Sequence, residues 1–384
     1  MAREFGALSY RPENISFIMN GLNGRDGEPW CYLRRALCKN IMLAAYRMPS
    51  TAEELAIEVG VALPYIEDEL QELTEAALLK KSDNKYETNI FIVSADAQEK
   101  INAHLRGIAP ELTKATIALQ EYEEKCDDEN GSVWHEGYQP YEDMKWALLM
   151  RAVDTVNFHV LDTYNRSRTE LPSANLGAWG HTVRPNGGEW DLLGLEEYHG
   201  NRPAFVGLHG CTSNADEMAL DAVNFGQYKF NYRNIADKTP VHLTYAEGQA
   251  LSAVAKGNGA EVNEKILKKL VEYGYLCKDG ERYRPTFLVM VKNKLAKKTK
   301  AQETEYKRLM YKARDIAMRH YLFCREIICQ EIPDFLKDDA YQIEHACANI
   351  YTMRGAVLEE ALYTGYISYA DNDERKMLGA YLII

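Results

Sequence analysis

The stretch that decides the fold is MPSTAEELAIEVGVALPYIEDELQELTEAALLKK, which runs from Met48 to Lys81. Pro49 ends a preceding helix, and Ser50 with Glu53 has the capping-box spacing that begins the next helix. Gly60 suits the left-handed residue at which a helix stops. The stretch therefore predicts a short helix that ends at a glycine, with another helix after a tight turn.

The second of these helices leads into a hairpin. Pro64 fits its first turn, and LLKKSDNKYETNIFIV predicts two strands joined by an Asp-Asn turn. The upstream letters CYLRRALCKNIMLAAYR also have apolar residues at helical spacing. Three helices and a two-stranded hairpin predict a winged helix-turn-helix. Apolar residues that share one face of the third helix are Ile66, Leu70, Leu73 and Ala77.

The same order of signals returns between Thr244 and Val291. Thr244 and Glu247 have capping-box spacing, and Asp279-Gly280 is a strong hairpin-turn pair. The ungapped register favours a duplicated winged-helix unit over two unrelated helix–hairpin pieces. Identical residues that align after a shift of 197 positions are Gly60 and Gly257, Leu70 and Leu267, Leu73 and Leu270, Glu75 and Glu272, Leu79 and Leu276, Lys81 and Lys278, and Tyr86 and Tyr283.

Charge argues against DNA binding by the first unit. Between Pro64 and Leu79 its third helix has acids but no lysine or arginine. In helix-turn-helix docking this helix meets base edges through basic or amide side chains, and acids are repelled by a polyanion. We predict that it serves packing or a protein partner. The five acids are Glu67, Asp68, Glu69, Glu72 and Glu75.

The second unit is better suited to DNA. Its third helix balances three lysines against three glutamates, and Asn258 and Asn263 add amides near its start. The stretch 291–320 has ten lysines or arginines and three acids, a net charge of +7 in a chain of −12. A solvated helix gives such a run too, but its place beside a helix-turn-helix favours phosphate contact. The predicted DNA-binding residues are Asn263, Lys265, Lys268, Lys269, Arg282, Lys294, Lys297, Lys298 and Lys300.

The middle of the chain differs from both units. A long helix is predicted over 141–165, followed by a loop rich in Gly, Pro and Asn. The strand-like runs WDLLGLEEY, PAFVGLHG and YKFNYRNI fit a small antiparallel sheet. Four tryptophans predict either an irregular aromatic core or a pocket for a small-molecule effector or a peptide. They are Trp134, Trp146, Trp179 and Trp190.

The whole chain is predicted to be α+β and mainly helical. Long helices are expected after the hairpins, over 95–126 and 294–330. AYQIEHACANIYTMRGAVLEEALYTGYI predicts one amphipathic helix that is either core or the seam of a homodimer. The four expected domains are a first winged helix-turn-helix over 1–96, a helical and small-sheet module over 97–240, a second winged helix-turn-helix over 241–293, and C-terminal helices over 294–384.

Composition and missing motifs argue against several classes of protein. No apolar run is long enough for a membrane span, the first residues lack a secretory signal, and the eight cysteines lack Cys-x-x-Cys spacing. We expect a cytoplasmic protein with reduced thiols, no metal and no cofactor. The common phosphate-loop, dinucleotide, zinc-protease and serine-hydrolase motifs are absent. His209 and Cys211 form too common a pair to indicate catalysis, so no enzyme is predicted.

About the first 80 to 95 residues also resemble a known family. RDGEPW, KNIMLAAYRMPSTAEELAIEVG and ALPYIEDELQEL are similar to the extension after the sigma domains in a group of bacterial extracytoplasmic-function-type sigma factors, mostly from Firmicutes. The resemblance implies transcriptional regulation in the cytosol, with promoter DNA and RNA polymerase or a sigma domain as partners. Sigma regions 2 and 4 are not found, so we expect the regulatory part of a longer protein or a free-standing relative.

Two hypotheses follow from these patterns. The first is a transcriptional regulator that contacts DNA through its second winged helix-turn-helix. The second is a sensor or interaction module that binds no DNA and uses both units as scaffold.

Overall fold

In a computed structural model of the chain, the described residues are mainly helical with small sheets, three of which are antiparallel, in agreement with the predicted class. None of the helices in this part of the chain is both long and apolar enough to cross a bilayer. The described residues are 17–20, 35–76, 78–89, 91–93, 95–130, 141–167, 193–196, 205–212, 218–225, 245–286, 288–290, 297–337, 343, 347, 353–368 and 381–383.

Helices and strands are numbered in chain order. The helices are α1 (Ala36–Arg47), α2 (Ala52–Val59), α3 (Leu63–Glu75), α4 (Ala95–Glu129), α5 (Tyr141–Ser167), α6 (Tyr245–Ala255), α7 (Glu264–Glu272), α8 (Lys300–Glu331) and α9 (Arg354–Tyr363). The strands are β1 (Phe17–Asn20), β2 (Leu79–Ser82), β3 (Lys85–Thr88), β4 (Phe91–Val93), β5 (Leu193–Glu196), β6 (Phe205–Thr212), β7 (Met218–Phe225), β8 (Leu276–Asp279), β9 (Arg282–Pro285), β10 (Leu288–Met290) and β11 (Tyr381–Ile383).

The chain forms two compact units, each assembled from three separate stretches. They therefore cut across the four consecutive domains expected from the sequence. Unit 1 comprises Met1–Leu105, Phe158–Gly200 and Met318–Thr352, and unit 2 comprises Arg106–Asn157, Asn201–Ala317 and Met353–Ile384.

The first helix–hairpin segment, residues 36–93, contains α1 to α3 and the β2–β3 hairpin. A capping box begins α2, but it is formed by Thr51 and Glu54 rather than by the predicted Ser50 and Glu53. Ser50 is unsuitable because its backbone pairs with Tyr86 of the hairpin and its hydroxyl donates to the Met48 carbonyl. The predicted three-residue spacing of the capping box is confirmed. Its position is one residue later than predicted, because Ser50 pairs with a distant strand.

The remaining local predictions for this segment are confirmed. Gly60 ends α2 with a φ of 75°, and Pro64 lies in the first turn of α3. Asp83 adopts a φ of 57° in the predicted two-residue turn. Ala77 of the predicted apolar face lies outside the described residues, whereas the other members are fully buried. These are Ile66, Leu70 and Leu73.

The second helix–hairpin segment, residues 245–290, contains α6, a 3₁₀ turn, α7 and the β8–β9 hairpin. Gly257 follows α6 with a φ of 87°. The hairpin turn consists of Gly280 and Glu281, one residue later than the predicted pair, because Asp279 is still paired in β8. Thr244 of the predicted capping box lies outside the described residues.

Equivalent backbone bonds recur in the two segments with the 197-residue shift. Strands β8, β9 and β10 have the bounds of β2, β3 and β4 after this shift. The recurrence at the level of single bonds favours one repeated design over two unrelated pieces. The bonds are Val61 N to Ala56 O and Asn258 N to Ala253 O, Ala76 N to Glu72 O and Tyr273 N to Lys269 O, Leu78 N to Leu73 O and Tyr275 N to Leu270 O, and Asn89 N to Leu78 O and Thr286 N to Tyr275 O.

The strand after each hairpin pairs in parallel with a strand from much later in the chain. β4 pairs with β5, which also pairs antiparallel with β1, and β10 pairs with β11. Two of the three predicted middle runs contain the strands β5 and β6, while YKFNYRNI lies outside the described residues. The antiparallel partner of β6 is β7, which the sequence did not suggest.

The long helices agree with expectation, whereas the C-terminal one is described only in part. α4, α5 and α8 match the predicted stretches 95–126, 141–165 and 294–330 to within a few residues, apart from a later start for α8. The prediction of one helix over 340–367 is wrong, because Met353 is not helical, α9 begins at Arg354 and it ends at Tyr363. The six cysteines with described side chains are free thiols, and four of them are buried, as expected for reduced protein.

Candidate nucleic-acid interface

Helix α7 carries three of the nine predicted DNA-binding residues on its exposed side, and a fourth, Asn263, is its N-cap. It begins after Asn263, whose Oδ1 accepts a hydrogen bond from the backbone N–H of Lys265 at 2.9 Å. Leu267 and Leu270 are buried on the opposite side. The cap engages the Asn263 oxygen, so only its amide NH₂ group is left for a ligand.

Lys269 is held by a carboxylate inside its own segment. Its Nζ lies 2.5 Å from Oε1 of Glu247, whose side chain is only 5% exposed. The same Nζ lies 5.3 Å from the centre of the Tyr273 ring. The hydrogen bond to Glu247 raises the pKa of Lys269. Moving Lys269 to a phosphate would break its ion pair with a nearly buried carboxylate, so it is a poor candidate for DNA contact.

Lys265 and Arg282 are exposed cations without an ion pair among the described residues. A hydrogen bond between their sequence neighbours joins the two elements, since Tyr283 O–H donates to Glu264 at 2.8 Å. This bond also raises the pKa of Tyr283. Helix α7 and the β8–β9 hairpin thus present two cations on adjoining elements.

The other lysine of α7, Lys268, has only a weak restraint. Its Nζ lies 3.9 Å from Glu264 at i,i+4 spacing, and both side chains are exposed. Such a pair contributes little and is screened by salt. Lys268 therefore remains available to an anionic ligand.

The basic stretch before and along α8 is partly neutralised. Lys298 lies 3.4 Å from Glu123 and 4.7 Å from the Tyr306 ring centre, so it has a structural role. Lys297 and Lys300 are exposed, and Lys294 lies outside the described residues. Three further cations hold the three acids of the stretch. The pairs are Lys307 with Glu303, Arg308 with Glu305, and Arg314 with Asp315.

The acids of α3 in the first segment divide into two groups. Arg35 contacts Glu69 at 2.8 Å and Glu72 at 2.5 Å. Glu69 is buried and also accepts a hydrogen bond from the Cys38 thiol at 2.8 Å. Burial, and then Glu69, raise the pKa of Cys38 to about 12. Two acids therefore fasten α3 to the start of α1, which the sequence did not indicate because Arg35 lies far upstream.

The other three acids of α3 face solvent. Glu67 and Asp68 have no ion pair among the described residues, and Glu75 accepts a hydrogen bond from Gln71. The predicted repulsion of DNA therefore depends on three carboxylates that have no ion pair among the described residues, rather than on five.

Of the four tryptophans predicted to line a pocket, only Trp146 is described. It is buried in α5, and its Nε1–H donates to the Ser368 carbonyl at 2.9 Å. This surrounding is that of a core residue. His209 and Cys211 lie in β6, and no cluster of three or more His, Cys, Asp or Glu in the described part of the chain could hold a metal ion. Trp134, Trp179 and Trp190 lie outside the described residues.

No protein-family model, curated protein or solved structure matches this chain.

Proposed function

We propose that both helix–hairpin segments are winged helix-turn-helix units and that the chain is a transcriptional regulator of the cytosol. The observation that carries this proposal is that Lys265 on α7 and Arg282 on the hairpin are exposed cations without an ion pair in the described part of the chain, on two elements that the Tyr283–Glu264 hydrogen bond joins. Helix α7 corresponds to α3, the third helix of the first segment, and the third helix is the element of a winged helix-turn-helix that meets DNA. The second unit therefore contacts DNA phosphates.

The order of the elements supports this proposal. Each segment has a helix with a left-handed glycine stop, a further helix with a buried apolar face, and a two-stranded hairpin in the same register. About the first 80 to 95 residues resemble sigma-factor extensions, which agrees with this proposal. The resemblance suggests RNA polymerase or a sigma domain as a protein partner.

Binding to a labelled random-sequence duplex across a salt series tests the DNA contact. Protein that contacts phosphates releases counterions, so its log affinity falls with log salt concentration by roughly 0.9 per phosphate. We expect Lys265→Ala and Arg282→Ala each to lower this slope by about one and together by about two. Fluorescence anisotropy of the duplex gives the affinity at each salt concentration.

Lys85→Ala is the matched control. Lys85 occupies the position in the first hairpin that Arg282 occupies in the second, and it is also exposed. We expect its slope to equal that of the wild type. An equal loss in Lys85→Ala, or no binding at low salt, would contradict DNA contact through the second unit and favour the sensor or interaction module.

A further inference from the structure

The exposed side of α2 and α3 in the first segment combines acids with bare apolar side chains. We propose that this surface docks a lysine- or arginine-rich segment of another protein that also carries apolar anchor residues. The proposal does not depend on DNA contact by the second segment. The surface, called the acidic face below, consists of Glu53, Ile57, Tyr65, Glu67 and Asp68.

Two large apolar side chains flank the turn between α2 and α3. Ile57 is 62% exposed and Tyr65 is 67% exposed. Aromatic and aliphatic anchors of this size supply much of the binding energy when a partner buries them. Gly60 lies between them and ends α2 with a left-handed backbone, which sets the turn into α3.

The repeated segment shows that exposure at this position is a particular property of the first copy. The residue equivalent to Ile57 is Val254, which is only 6% exposed. There the 3₁₀ turn lies against it, because a Cβ added at Gly259 would be 3.3 Å from Val254 Cγ2. The first segment has no such 3₁₀ turn before α3. The 3₁₀ turn of the second segment covers Val254, whereas the equivalent Ile57 of the first segment stays exposed and can contact a partner.

Charge decides which partner fits the acidic face. Glu53, Glu67 and Asp68 have no ion pair among the described residues, and Lys265 stands at the position equivalent to Asp68. Like-charge repulsion disfavours nucleic acid, and the net charge of −12 opposes a second copy of this chain. A basic partner is attracted both by the face and by the whole molecule.

The remaining acids of α3 make the face rigid. Glu69 and Glu72 lie one helical turn after Tyr65 and Asp68, and both are held by Arg35, so α3 is tied to the start of α1 at the border of the acidic face. The face therefore needs little reordering when a partner binds, which lowers the entropic cost of association.

The test uses the full chain and three labelled amphipathic peptides. One contains Lys and Leu, one has Ser in place of Leu, and one has Glu in place of Lys. We expect salt-sensitive binding of the Lys/Leu peptide alone, measured by fluorescence anisotropy. Glu67→Lys with Asp68→Lys should weaken this binding at least about tenfold, because it replaces the acids that attract the peptide's lysines. Ile57→Ser with Tyr65→Ser should weaken it by a similar factor, because it removes the apolar side chains that the peptide's leucines bury.

Glu261→Lys with Glu281→Lys is the control of equal net charge. Both acids are exposed in the second segment and have no ion pair among the described residues. Binding within about twofold of wild type is expected, since neither acid belongs to the acidic face and only the salt-screened attraction to net charge is lost. A loss equal to that of Glu67→Lys with Asp68→Lys would show attraction to net charge alone and overturn the proposal, as would equal binding of the Lys/Ser peptide.

Sedimentation of the wild-type chain decides whether a second copy takes the face instead. The proposal expects no dimer that Ile57→Ser with Tyr65→Ser dissociates, and such a dimer would overturn it. All substituted side chains are exposed, and thermal melts check that each variant folds. If the apolar variant melts early, the charge variant and its control carry the test.

Discussion

At the scale of residues, two histidines of unit 1 form an acid-sensitive contact. The Nδ1 atoms of His104 and His320 lie 3.1 Å apart, so one ring donates a proton and the other accepts it. His320 is fully buried, and Sγ of Cys324 lies 3.5 Å from its Nε2. Burial, and then His104, lower the pKa of His320 to about 3. Burial and Arg319 also lower the pKa of His104.

Acid should therefore destabilise the folded chain through His320. Its folded-state pKa lies below the ordinary 6.5, so protons bind the unfolded chain more readily. The contribution of His320 to the free energy of unfolding is fully present above about pH 6.5. Below that pH it falls by up to about 1.4 kcal/mol per pH unit. Urea unfolding between about pH 7.5 and 4.5 measures this slope.

His320→Gln is the variant that isolates this contribution. Glutamine does not titrate, and it can still form a hydrogen bond with His104. We expect a shallower loss of unfolding free energy with acid than in the wild type. Identical slopes would show that His320 does not control the acid response.

Lys269 and Lys265 provide a second comparison between residues. Lys269→Ala removes the ion pair that Lys269 makes with the nearly buried Glu247, so we expect a lower melting temperature. Lys265→Ala removes an exposed cation that makes no ion pair with any described residue, and it should melt like the wild type. Circular dichroism melts compare the two. Adding Glu247→Gln to Lys269→Ala should recover much of the loss, and a double variant as unstable as the single one would contradict the assigned role.

At the scale of elements, the glycines that end α2 and α6 are a device repeated in both segments. Gly60 and Gly257 have φ values of 75° and 87°, and a Cβ added to either meets nothing within 4 Å. Alanine at either position is therefore penalised only by the left-handed backbone. We expect Gly60→Ala and Gly257→Ala to lower the free energy of unfolding by about 1–2 kcal/mol each.

Gly107 is the matched control for this prediction. It lies inside α4, and an added Cβ there also meets nothing within 4 Å. Gly107→Ala should stabilise the chain by about 0.5–1 kcal/mol, because alanine favours a helix interior. Urea unfolding of the three variants checks the signs. A destabilising Gly107→Ala, or a neutral Gly60→Ala, would contradict the conformational argument.

At the scale of the whole molecule, one repeated segment supports two different surface chemistries. The hairpins, glycine stops and backbone bonds coincide after a shift of 197 residues, whereas several exposed side chains of α3 and α7 differ. Asp68 in the first segment corresponds to Lys265 in the second. The buried positions keep the segment folded, so the exposed positions are free to differ. A DNA-binding surface and a protein-binding surface on equivalent helices are consistent with this division.

Local structure was largely determined by the sequence. Helical spacing, Gly60, Pro64 and the turn at Asp83 placed the helices and hairpin of the first segment, and the repeat placed those of the second. These features depend on backbone preferences and on periodic burial, which are properties of neighbouring residues. The charged residues of each segment could be counted from the sequence, but the sequence could not show which of them form ion pairs.

Only the tertiary structure decided which of the counted charges are free. Lys269 and Lys298 are occupied by Glu247 and Glu123, and the acids Glu69 and Glu72 are occupied by Arg35. The choice of the capping box and the parallel partners of β4 and β10 were likewise set by distant residues. An ion pair or a strand pair forms where the folded chain brings two groups together, and sequence spacing contains no record of that distance.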